Sequence, residues 1–142
     1  MEEQTTGCLV CGAPLEYFPS QIEMECTYCH KTFMSNARCV NGHFICDSCH
    51  EQMGLRVIED ICRHTDSKDP VAIMKKIILS PYIYMHGPEH HVLVGSALLA
   101  AYKNAGGELD LDAALEEMRN RGAQVPGGIC GLWGTCGAAV ST

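Results

Sequence analysis

No apolar run in the 142-residue sequence reaches the roughly 18–20 residues that a membrane-crossing helix requires, so a membrane-embedded role is not expected. The opening MEEQTTGC is acidic and polar, which is wrong for a secretory or organellar leader and points to the cytoplasm. Positive charge is scarce. Ten Lys and Arg stand against 17 Asp and Glu, for a net charge of −7, and they are scattered rather than gathered on one face. DNA or RNA is therefore not expected as a ligand. Internal repeats and low-complexity tracts are also missing. Apolar residues make up 46% of the chain, enough for a real core, and the length suits one domain or a small module beside a modest one.

Cysteine is abundant instead, with ten copies. With no export signal, and with the cysteines in C-x-x-C pairs followed by Gly or His, metal ligation in a reducing compartment is favoured over disulfides. Cys8-Leu-Val-Cys11-Gly and Cys26-Thr-Tyr-Cys29-His form two such pairs. The fourteen residues between them, GAPLEYFPSQIEME, suit a strand out, a turn at Pro19-Ser20 and a strand back, which would bring the two pairs around one ion. The next segment, CVNGHFICDSCH, supplies Cys39, His43, Cys46 and Cys49 for a second ion. Two pairings are open. The sequential one joins Cys8, Cys11, Cys26 and Cys29, and separately Cys39, His43, Cys46 and Cys49. The cross-braced one joins Cys8 and Cys11 with Cys39 and His43, and Cys26 and Cys29 with Cys46 and Cys49. The hairpin favours the first. The reach of an extended chain from His43 to Cys46, about 10 Å at roughly 3.3 Å per residue, favours the second. Both use the same eight ligands, and both predict two structural zinc ions per chain. His30 and His50, beside the knuckles, could substitute as ligands but read rather as flanking or exposed residues.

The remaining two-thirds reads as helical. CHEQMGLRVIEDICRH places Met53, Val57 and Ile61 on one stripe, with Ile58 and Cys62 beside it. Asp69-Pro70 opens a second helix that Ser80-Pro81 ends, and the short SKDP stretch before it reads as an exposed linker. The third, starting at Pro88, is apolar on nearly every side and predicts a central buried helix with close approach at Gly95 and Ala97. The fourth carries Leu111, Ala114, Leu115 and Met118 and stops at Gly122. The expected fold class is α+β: a small zinc-ribbon or cross-braced, RING-like two-zinc module over residues 1–50, followed by an α-helical domain over 51–142.

Three cysteines fall outside the eight ligands: Cys62, Cys130 and Cys136. The last two sit in VPGGICGLWGTCGAAV, which also holds the only tryptophan and five glycines. His86, His90 and His91 cluster with Glu89 at the start of the third helix. The formal H-x-x-E-H match to an inverted zinc-protease motif is broken by Gly87-Pro88, because the motif needs one continuous helix. Neutral imidazoles and thiols together form a second ligand set, suited to an iron–sulfur cluster or another soft metal. Glycine-enabled packing of inert cysteines is the plainer alternative.

The segment Cys26–Cys49 resembles part of a RING finger, in the order C-x2-C, C-x3-H, C-x2-C, although the remaining ligand pair lies upstream rather than downstream. Over almost its whole length the chain, with CxxCG, CxxC, GHxxCDxCH, GPEHHxLVGxALL and PGGICGLWGTCGAA, resembles an uncharacterised family of cysteine-rich proteins of anaerobic bacteria and archaea, whose segments also occur beside methyltransferase domains. That resemblance implies a metal-rich, anaerobic, cytosolic setting and no particular reaction. Two functions follow as expectations. One is a metalloprotein with two structural zincs and a second thiol/histidine site. The other is a non-enzymatic adaptor that docks a protein partner such as a methyltransferase. A ubiquitin-ligase-like role, from the partial RING pattern, is the weakest.

Overall fold

In a computed structural model, residues 7–84 and 87–142 are described, apart from the side chain of Ile129. The chain divides into two units, residues 1–52 and 53–142. Among the described residues the first unit holds a two-stranded antiparallel sheet of β1 (Leu15–Glu25) and β2 (Thr32–Cys39). The helices are α1 (Asp47–His64), α2 (Pro70–Ile78), α3 (His90–Asn104), α4 (Leu111–Ala123), α5 (Ile129–Trp133) and α6 (Gly137–Ser141). The division falls inside α1. The architecture is thus a mixed α/β fold, with the strands confined to the first unit.

The hairpin expected between Cys11 and Cys26 does not form. β1 runs through Pro19-Ser20 as a single strand and pairs with β2, so the chain reverses at the Cys26–Lys31 knuckle. The ladder slips where the turn was expected: five steps from Tyr17 to Ile22 face two from Ala37 to Ser35. The extra residues form a bulge, which a proline tolerates because it removes a ladder donor. The slip is odd. Leu15 and Tyr17 therefore face Cys39 and Ala37, while Ile22 and Met24 face Ser35 and Phe33, all odd-numbered partners. Arg38 reaches across to Glu16 at 2.8 Å and lies 5.1 Å over the Phe18 ring, closing the bulge from the partner strand.

The second unit is built around α3, which contacts α2, α4 and α6. Val92, Leu93, Ala97, Ala100 and Ala101 meet Ile73, Ile77, Leu111, Leu115 and Met118 in one core. The close approach expected at Gly95 and Ala97 is present. Ala97 is fully buried, and a methyl at Gly95 would overlap the Met118 sulfur. Gly122, expected to end α4, instead lies inside its last turn, where a methyl would run into Val92 of α3. On α1 the buried stripe is Leu55, Ile58 and Cys62, while Met53, Val57 and Ile61 lie at its margin. Asp69 caps α2 by accepting from Val71 N–H at 2.9 Å, and Asp110 caps α4 by accepting from Ala113 N–H at 3.2 Å. The SKDP stretch is held in place, since the Asn104 amide donates to the Thr65 and Ser67 carbonyls at 2.9 and 2.8 Å. No described helix is long and apolar enough to cross a membrane.

Candidate metal centres

Three short turns shape the first unit. In each, a backbone N–H closes onto a cysteine carbonyl: Gly12 onto Cys8, His30 onto Cys26 and Gly42 onto Cys39, at 2.7–2.9 Å. The residue that closes each turn has a positive φ, of 73° at Gly12, 57° at His30 and 88° at Gly42. Glycine takes that conformation freely, whereas a histidine does so at a cost. Cys39-Val-Asn-Gly-His is therefore a third knuckle, recognisable in the sequence from its glycine. The role of His30 is to close a turn, and its exposed ring pairs with Glu25 at 3.0 Å rather than facing a metal.

The knuckles sit at the two ends of the β1–β2 ladder, and the ligands gather accordingly. Cys8, Cys11, Cys39 and His43 form one group, and Cys26, Cys29, Cys46 and Cys49 the other, with the donor atoms of each group all within 4.8 Å of one another. Of the two pairings open in the sequence, this is the cross-braced one. Cys11 and Cys39 sulfurs are 3.5 Å apart, Cys8 Sγ is 3.8 Å from His43 Nδ1, and Cys29 and Cys46 sulfurs are 3.8 Å apart. A tetrahedral ion with metal–sulfur bonds of about 2.3 Å requires sulfur–sulfur edges of about 3.8 Å. Both groups fit an ion of that size, and all ten cysteines are free thiols.

Backbone and amide donors already stabilise charge on the sulfurs. Cys8 accepts from Val10 N–H at 3.4 Å, Cys39 from Asn41 N–H at 3.3 Å, and Cys26 from Cys46 N–H at 3.4 Å. The Ala13 backbone N–H and the Asn41 amide bring the Cys11 thiol down from 9.0 to about 6. Burial opposes ionisation of Cys26, but the backbone N–H groups of Cys29, Cys46 and Tyr28 outweigh it and bring that thiol to about 6 as well. In the same clusters burial pushes Cys39 and Cys46 up, and burial with the neighbouring thiols pushes Cys49 to about 12. Cys11 and Cys26 are thus the thiols shifted down in their clusters, while Cys39, Cys46 and Cys49 are shifted up. A divalent ion bound by such a set would displace protons from its thiols.

The remaining candidates lie in the second unit. Cys62 is 1% exposed and part of the apolar core, where burial raises its thiol to about 11. It packs as a small apolar side chain and does not join the others. His86 lies outside the described residues. His90, His91, Cys130 and Cys136 line one cavity of about 460 Å3, together with Pro88 and Gly128. Both of these cysteines are exposed, so neither is a core residue. His90 Nε2 donates to the Tyr84 carbonyl at 2.7 Å, and buried Glu89 accepts from the Tyr84 N–H at 3.3 Å, so this helix start grips the chain before it.

A fold of this kind, a four-plus-four ligand module and a helical unit with a thiol/imidazole cavity, defines a cysteine-rich protein with two potential metal clusters. The chain belongs to a family of unknown function, DUF5714, which matches residues 58–142. That match covers the cavity and leaves the two clusters outside. No curated protein and no solved structure matches the chain.

Proposed function

We propose that the protein is a zinc protein, in which two cross-braced structural zinc ions fold the first unit and the thiol/imidazole cavity of the second unit is where it binds a further soft metal or small ligand. The observation that carries this reading is the alternate pairing of eight donors into two groups with tetrahedral spacing. Zinc is favoured by thiolate-rich sets with one imidazole, and closed all-protein tetrahedra are structural rather than catalytic. The module is RING-like in its alternating ligand order, with a two-stranded ladder between the sites. Free thiols at all ten positions fit a reducing compartment, and the anaerobic setting implied by the family resemblance fits the same chemistry.

An adaptor role is a second reading. It is favoured by apolar side chains left exposed on the sheet, Tyr17 at 73% and Met34 at 57%, where a protein partner would dock. Purification without oxygen, followed by zinc, iron and sulfide analysis per chain, tests the first reading. Two zinc ions are expected, both surviving substitution of Cys130 and Cys136, and one of them lost on substitution of Cys26. A protein that folds fully with no bound metal refutes it.

A further inference from the structure

The cavity in the second unit is lined by one buried imidazole that the fold engages through only one of its two ring nitrogens. His91 is 8% exposed, and its Nδ1 lies 3.1 Å from the Val125 carbonyl oxygen. A carbonyl only accepts, so Nδ1 carries the hydrogen and the neutral ring keeps its lone pair on Nε2. That nitrogen faces Gly137, where any side chain would overlap it, and it has no hydrogen-bond partner among the described residues. A metal-ligating histidine is held this way, with one ring nitrogen donating to a carbonyl and the other presented to the ion.

The two cysteines on the same cavity are not explained by packing. Methyl groups at Gly127, Gly128, Gly131 and Gly134 would meet nothing within 4 Å, so these glycines do not serve close contact. Gly128 and Gly134 have φ of 76° and 68° and bound the five-residue α5, which sets Cys130 and Cys136 on the cavity wall. The donors around the cavity are not drawn within 4.8 Å of one another, as those of the two clusters are. Both thiols are exposed, so rotation of their side chains between staggered positions is open to them. The room left over, in a cavity of about 460 Å3, is of the size that takes a small molecule as well.

We infer that this cavity is a third metal site, for a single thiophilic divalent ion held by Cys130 Sγ, Cys136 Sγ and His91 Nε2, with the fourth position open to a small exogenous ligand. Binding releases one proton from each thiol to solvent and none from His91. Three protein ligands and an open position distinguish it from the closed tetrahedra of the module. The inference deepens the second-site part of the proposed function and does not depend on which metal fills the module.

Cobalt(II) titration of the full-length apoprotein without oxygen tests it, with sulfur-to-cobalt charge-transfer and d–d bands as readouts. Wild type is expected to take up three equivalents, and Cys130→Ser/Cys136→Ser two, with unchanged helical circular dichroism. Gly137→Ala, which displaces the His91 ring, is expected to weaken the third equivalent at least tenfold. Added azide or cyanide is expected to shift only the bands lost in the double variant. Two equivalents in wild type, three in the double variant, or iron with inorganic sulfide bound at these cysteines overturns the inference. Fewer than two equivalents in the double variant instead strikes at the module, so the two failures are distinguishable.

Discussion

Removing metal from the first unit is expected to unfold it while the second unit stays folded. Its described residues include only six buried ones: Cys8, Cys26, Cys39, Cys46, Met24 and His50. Four of the six are cluster donors. Met24 is the single buried apolar side chain that is not, and one buried methionine contributes about 1.5–3 kcal/mol. A structural zinc site contributes about 10–16 kcal/mol of folding free energy, so the ions outweigh the apolar core several-fold. An isolated two-stranded ladder is marginal by itself. Chelation under reducing conditions, followed by amide hydrogen exchange, is the assay. The β1 and β2 amides should lose protection together, whereas those of α3 and α4 should keep it, because their core of isoleucines, leucines and alanines contains no metal ligand. A metal-free protein whose β1–β2 amides stay protected would refute the reasoning.

The cross-braced pairing predicts the outcome of paired substitutions: Cys11→Ser with Cys39→Ser should cost one metal equivalent, and Cys11→Ser with Cys26→Ser should cost both, by elemental analysis. Cys62 favours its protonated form in the fold, so its contribution is fully present below pH 9 and is lost as pH rises towards about 11. That loss is about 2–3 kcal/mol, and Cys62→Ala should flatten this part of the stability–pH curve in urea titrations. Gly95→Ala pushes a methyl into Met118 and should destabilise the second unit by about 1–3 kcal/mol, read as a lower Tm with metal content unchanged.

The eight cluster donors were legible because each C-x-x-C knuckle is a local object: four residues, one turn, two sulfurs on one side. The helices from α2 to α4 were legible for the same reason, since Asp69-Pro70, Ser80-Pro81, Pro88 and the stripe of Leu111, Leu115 and Met118 are short-range signals. Two readings went wrong where local signals were ambiguous. Pro19-Ser20 marks an irregularity, and the sequence does not say whether the chain reverses there or bulges and continues. On α1, the apolar residues from Met53 to Cys62 cover half the helix, so several stripes are available. The partner helices select Leu55, Ile58 and Cys62.

The sequence by itself marked the eight residues that cluster as potential metal donors and the helical nature of residues beyond Asp47, because donor spacing and periodicity are short-range properties. The tertiary structure alone decided the pairing of the ligands. β1 runs straight through its proline, so Cys11 and Cys26 end at opposite ends of one ladder and each must find its partners on the segment that follows. It also decided that Cys62 lies in the core while Cys130, Cys136 and His91 line one cavity. Those placements depend on how α1, α3 and the segment after α4 pack, which short-range sequence patterns do not carry.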